Sequence, residues 1–175
     1  MDLLAHALYG VTFCSRIGLA GCFRKPPAGP IEHWNTDWTI LAAAGFAVLP
    51  DLASIGIYFL DLILNLQSPS FHYLPGYVFD LYNASHSLLV AVLVCLILRV
   101  VWKPLFIASL AWILHIGLDI FTHGLGRFQT PFLYPLSTYA FDGLNWWQHP
   151  WVMAMYWGAL PLLWAFIYFQ RRRTR

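Results

Sequence analysis

Between Lys103 and Gly124 the chain reads Pro104-Leu-Phe-Ile-Ala-Ser-Leu-Ala-Trp-Ile-Leu114 and then, without a break, His115-Ile-Gly-Leu-Asp119-Ile-Phe-Thr-His123. The first half is apolar on every side of a helix, as a bilayer span is and a surface helix is not. The second half carries His115, Asp119 and His123 at intervals of four, so a helix stacks all three along one face. Ionisable groups in an apolar helix are costly and mark function. This segment predicts both an all-helical membrane fold and a polar site inside it.

The rest of the chain agrees. Only 10% of its 175 residues are charged and 59% are hydrophobic, against about 25% charged in a soluble domain. That excludes a soluble globular protein and predicts one integral-membrane helical domain over residues 1–175. No nucleic-acid partner is expected. Cys14, Cys22 and Cys95 form no C-x-x-C pair and read as small buried hydrophobes. Asp2, His6 and Arg16 argue against reading the first segment as a signal peptide.

A first, moderately apolar helix is predicted over residues 1 to about 21, followed by the turn-rich Arg24-Lys-Pro-Pro-Ala-Gly-Pro30. Thr36 or Asp37 caps a second helix from Trp38 to about Leu64, kinked at Leu49-Pro50-Asp51. Gln67 to about Asn83 reads as an interfacial loop, with Phe71, Tyr73, Tyr77 and Tyr82 in an aromatic belt. A third helix starts near Ser85-His86-Ser87 and runs as Leu88–Trp102, and Lys103-Pro104 turns into the fourth. An aromatic loop over about 125–149 leads to a last span, Pro150–Phe169, and to a short basic tail, 171–175. The expected architecture is an all-α polytopic bundle of four to five spans.

With the tail placed in the cytoplasm, alternation of the spans puts Arg16, Arg24, Lys25, Arg99 and Lys103 there too. Of the 10 basic residues only Arg127 then faces outward. His6 lies about 9 Å along its helix, and Asp51 about 20 Å from Trp38, past the midplane of a core roughly 30 Å thick. His86 sits at the mouth of the third helix, and the stripe rises to the outer rim. His6, Asp51, His86, His115, Asp119 and His123 thus fall in the outer half of the bilayer.

Histidines and aspartates without cysteine suit zinc, with manganese or iron(II) as the other fits. Ligands four apart on one helix, completed from other helices, are how bundle-core metal sites are built. Five or six ligands leave room for more than one ion, with Asp119, mid-stripe, as the natural bridge. Such a metal brings the pKa of its water towards about 7 and supplies a hydroxide for attack on an ester or phosphoester. Asp51 or His123 is the candidate proton acceptor. Asn83 and Ser87, beside His86, and the loop residues His72, Asp142 and His149 are candidates for holding the substrate.

The ordered set Met1-Asp-Leu-Leu-Ala-His6, Leu-Pro-Asp51, Ser-His86-Ser and His115-x3-Asp119-x2-Thr122 resembles the small bacterial membrane-bound metal-dependent hydrolases, relatives of the zinc-dependent phospholipase C type. The resemblance covers roughly residues 1 to 140. It implies a cluster of one to three ions held by His6, Asp51, His86, His115 and Asp119, the last of them bridging. The His-Arg pair that often precedes the family's central histidine is missing from Leu81-Tyr82-Asn83-Ala84-Ser85. An obvious phosphate clamp goes with it.

The expected activity is hydrolysis of a lipid-borne ester or phosphoester at the outer leaflet by a metal-bound hydroxide. A non-enzymatic metal-binding protein and a metal or proton transporter are the alternatives. A transporter needs polar groups on the inner halves of the helices, and Leu93–Leu98 and Leu105–Leu114 are almost wholly apolar. A haem protein needs facing axial histidines and fits Asp51 and Asp119 poorly.

Overall fold

The computed structural model of the chain describes residues 1–23, 37–68 and 74–173. Every regular element among them is helical: α1 (Leu3–Cys14), α2 (Leu19–Cys22), α3 (Trp38–Asp51), a π-turn (Leu52–Gly56), α4 (Ile57–Leu64), α5 (Gly76–Ser85), α6 (Leu88–Val101), α7 (Lys103–Thr122) and α8 (Pro150–Arg173). Four stretches are long and apolar enough to cross a bilayer: Leu3–Cys22, Trp38–Leu64, Lys103–Thr122 and Pro150–Arg173. Together α5 and α6 make up to a fifth, bent by 56°.

The helix starts follow from capping side chains. Asp2 Oδ1 accepts the Ala5 N–H at 2.9 Å, and Asp37 Oδ1 accepts the Thr39 N–H at 3.0 Å. Ser87 does the same for α6 through the Val90 N–H. Pro104 stands in the first turn of α7, where its missing N–H costs nothing.

Four expectations are corrected. The first helix is not continuous: α1 ends at Cys14, where the extended Ser15 turns its hydroxyl onto the Val11 carbonyl, and α2 follows separately. The segment Gln67–Asn83 is not all loop, because α5 begins at Gly76 behind Pro75. Its inward residues Val78, Tyr82 and Ser85 have helical spacing that the surrounding aromatics disguise. Tyr82 is accordingly a core residue, 2% exposed, and not part of a belt. The last helix also runs through Arg171, Arg172 and Arg173, so those residues are not a free tail, and Arg171 donates to the Arg16 carbonyl. The Arg24–Pro30 connection, Phe71 and Tyr73 lie outside the described residues.

The proline kink is present in a specific form. Behind Pro50 the helix widens into the π-turn before resuming as α4. The Pro50 carbonyl is taken by two hydroxyls, from Ser54 at 3.1 Å and from Ser85 of α5 at 2.9 Å. In an apolar bundle such side-chain donors satisfy backbone groups that the irregular helix leaves open.

At the centre α7 packs against α1, α3 and α6, while α8 leans on α1 and α2. The crossing of α1, α3 and α7 is made by small residues: Gly10, Ala43, Ala47, Ala108 and Ala111. Small residues let backbones approach closely where lipid gives no hydrophobic drive. A Cβ on Gly10 would stand 2.5 Å from the Ala47 Cβ and 2.8 Å from the Ala43 carbonyl oxygen. Gly10→Val should therefore cost about 1–3 kcal/mol of stability by overpacking. Gly45→Ala on α3, where a Cβ meets open space, should stay within about 0.5 kcal/mol of wild type. Denaturation of the detergent-purified proteins tests both.

Candidate metal centre

Three of the polar candidates sit where a helix is interrupted. Asp51 is the last residue of α3, at the entrance to the π-turn. His86 lies at the elbow between α5 and α6, and His123 is the first residue past α7, with extended φ/ψ of −117° and 133°. The exit of His123 from the helix ends the expected three-residue stripe at Asp119. From regular helix come His6 of α1 and His115 and Asp119 of α7.

Four of these side chains converge. One ligand atom each from Asp51, His86, His115 and Asp119 lie within 4.8 Å of one another. His115 Nε2 is 3.1 Å from Asp119 Oδ2 and 4.0 Å from Asp51 Oδ1. His86 Nε2 is 3.6 Å from each of the same two oxygens.

The opposite ring nitrogens fix what these atoms offer. His115 Nδ1–H donates to the Ala47 carbonyl at 2.6 Å, and His86 Nδ1–H donates to the Tyr82 carbonyl at 3.0 Å. A carbonyl can only accept, so each Nδ1 carries a proton, and in its neutral form each ring turns an Nε2 lone pair inward. The two Nε2 atoms then face each other at 3.2 Å, beside two carboxylate oxygens. With both rings neutral these are four acceptors, which repel unless a cation, metal ion or proton, lies among them. Asp119 Oδ2 and His123 Nδ1 are moreover buried with no hydrogen-bond partner. The donor set fits a divalent metal, and the Nδ1–H bonds to backbone are the usual orientation of ligating histidines.

Asp119 has two faces. Oδ2 looks into the tetrad, with His123 Nδ1 3.5 Å away. Oδ1 looks towards α1, where it meets His6 Nε2 at 2.9 Å and the Met1 amino group at 2.7 Å. His6 stands outside the four-atom group, with its ring stacked on that of His115 at 3.7 Å between centroids. One carboxylate thus joins the tetrad to the histidine of another helix.

The surroundings hold the site in place. Tyr82 stacks on His86 with ring centroids 3.8 Å apart, and Trp112 Nε1–H donates to the Ser85 carbonyl at 2.7 Å. A sequence reading that had helix α5 would have placed Tyr82 over His86, since the two are four apart. The last carbonyls of α7 are met by the following loop: Leu144 N–H reaches Phe121 at 2.9 Å, and Trp146 N–H reaches Thr122 at 3.1 Å. Gly143 donates to the His123 carbonyl, and a Cβ there would press to 2.6 Å from that oxygen.

The substrate candidates are scattered. Ser87 is occupied in structure, capping α6 and donating to the Tyr134 carbonyl at 2.5 Å. Asp142 accepts the Leu125 N–H at 3.0 Å and so closes a loop. His149 packs on Trp151 at the start of α8, 6.1 Å between ring centroids. Asn83 is half-buried on α5, a turn before His86, and His72 lies outside the described residues.

Ser85 links the Asp51 end of α3 to the His86 elbow through the Pro50 carbonyl, so Ser85→Ala should loosen metal about tenfold or more. His115→Ala and Asp119→Ala should abolish stoichiometric metal. Elemental analysis and metal titration of gently purified protein measure both effects; a metal-free wild type would sink the assignment.

Among known proteins, the family match supports the membrane placement, and its description names no reaction and no metal. Comparison with curated proteins and with solved structures finds no match. The match runs the whole length, residues 1–175, and the chain belongs to the YdjM inner membrane protein family.

Proposed function

We propose that the protein is a membrane-embedded, metal-dependent hydrolase of a lipid-borne ester or phosphoester. The observation that carries this reading is the convergence of four lone-pair donors, from Asp51, His86, His115 and Asp119, inside an apolar helical bundle. His6 holds the second face of Asp119 and is the fifth candidate ligand. The donor set suits zinc first, then manganese or iron(II), in one to three ions. A metal so held supplies a Lewis acid and lets water attack at neutral pH.

The chain's own residues divide the remaining work. His86, His115 and Asp119 are at most 1% exposed, whereas the Asp51 side chain is 23% exposed. Asp51 therefore stands on the open side of the cluster, where water and substrate arrive, and takes the proton of the attacking water. His123, its side chain 10% exposed and beside Asp119 Oδ2, is the alternative acceptor or the donor to the leaving group. The hydrolase and phospholipase C likeness rests on the residue pattern, and the placement of the site towards the outer leaflet rests on the charge distribution. Transport is the weaker reading, because close packing around Gly10, Ala43, Ala47 and Ala111 seals the bundle beside the tetrad.

Purified protein incubated with bacterial lipid extract should release phosphate or head group, and chelator should stop it. Asp51→Asn should lower turnover by about a hundredfold or more. Turnover that survives complete chelation would reject the mechanism. A fluorescent reporter fused behind the last residue should be bright, as cytoplasmic fusions are.

A further inference from the structure

A pocket of mixed polar and apolar lining adjoins the candidate metal centre. Just past His123, the loop that closes α7 forms an open-sided pocket of about 200 Å³ lined by Leu125, Arg127, Phe128, Asn145, Trp147 and Gln148 between two glycines. A single water needs only about 10–15 Å³ of such space. A cavity at the Cys14–Thr39–Pro104 end of the bundle, by contrast, is about 10 Å³ and holds one water at most. The larger one reaches the tetrad through a single residue: the His123 ring lies 5.7 Å from the Trp147 ring, and its Nδ1 lies 3.5 Å from Asp119 Oδ2.

We propose that this cavity is the head-group subsite and binds the phosphate of an anionic lipid beside the metal centre. The inference rests on the hydrolase reading for its substrate, but the binding it describes is separately measurable. Arg127 lines the cavity and brings a guanidinium, whose planar fork of N–H donors matches phosphate oxygens in pairs. Asn145 is fixed by its neighbours: Oδ1 accepts the Gly124 N–H at 2.8 Å, which turns the Nδ2 donor towards Gln148 Oε1 at 3.3 Å. Arg127, Asn145, Gln148 and Trp147 thus share the lining of one pocket.

Glycine keeps the space open. A Cβ on Gly124 would come within 3.0 Å of Asn145 Nδ2 and 3.2 Å of Asp142 Oδ1, and Gly126 takes a φ of +150° that side chains rarely adopt. The flanks are apolar and exposed: Phe121 at 63%, Leu125 at 56% and Trp147 at 50%. A ligand seated here has its charge on Arg127 and its chains against those side chains, which is the shape of a lipid. A free phosphate shares only the first half of that recognition.

The test is calorimetric titration of the full-length protein in maltoside micelles, as purified and after chelation. Its ligands are dioctanoyl phosphatidic acid, dioctanoylglycerol, octanoate and inorganic phosphate. Phosphatidic acid should bind wild type with or without chelator, and about tenfold or more weaker in Arg127→Gln, as expected for loss of a charged hydrogen-bonding partner. Arg127→Lys should recover part of the loss, and Gln148→Ala, with melting temperature and metal content unchanged, should show a smaller one. Dioctanoylglycerol and octanoate should bind at least about tenfold more weakly than phosphatidic acid. Inorganic phosphate binding as tightly as the lipid would overturn the lipid source. Binding indifferent to Arg127, or lost on chelation, would overturn the subsite. Arg127-dependent binding without any hydrolysis would reject the enzyme and keep the cavity; hydrolysis with Arg127-independent binding would do the reverse.

Discussion

A carboxylate with no exposure in the middle of an apolar helix bundle is the constraint on which the rest depends. Left alone, a buried ion of this kind costs several kcal/mol even after relaxation. Asp119 is not left alone: His6, Thr122 and the Met1 amino group all lie within 3.3 Å of its Oδ1. These partners come from the start of α1 and the last turn of α7, so compensating one carboxylate fixes how the two helices meet. The remaining face of Asp119, turned to the tetrad, is where the compensation is incomplete. That incompleteness is the chemical case for a cation.

Bringing the ligands together requires both tight packing and broken helices. The tight packing lies beside the site, where Gly10 and the alanines of α3 and α7 reduce the separation of three helices to backbone contact. The Ala47 carbonyl that orients His115 belongs to this crossing, so the same small residues that set the helix distance also set the ring. The broken helices lie at the site itself. The π-turn behind Pro50, the elbow at His86 and the extended His123 each turn a side chain where a regular helix would not. Interruptions of this kind are tolerated at membrane depth only where protein groups satisfy the freed backbone, as Ser54 and Ser85 do for Pro50. The hydroxyls that solve that problem are therefore also the framework of the centre.

The long loop before α8 has a comparable double use. It supplies N–H donors to the open carbonyls of α7, which any helix end needs, and in doing so it folds Asn145, Trp147 and Gln148 over the rim of the site. A pocket of mixed polar and apolar lining is the kind of place where an amphipathic molecule can leave its charged end while its chains stay in lipid.

The all-helical membrane class, the four long spans and the identity of the converging residues were legible in the sequence, because hydropathy and spacing of four are local properties of a chain. The spacing of His115 and Asp119 places both on one face whatever surrounds them. Other features were legible only in part: Pro50 announces a break but not a π-turn, and helix α5 hides among aromatics until Val78, Tyr82 and Ser85 are seen facing inward. What the tertiary structure decided is which atom faces which. The Nδ1–H bonds to Ala47 and Tyr82, the division of Asp119 between His6 and the tetrad, and the loop that brings Trp147 beside His123 all join residues distant in sequence or depend on a specific ring rotation. No periodicity encodes those, since they follow from packing three helices at the distance their smallest residues permit.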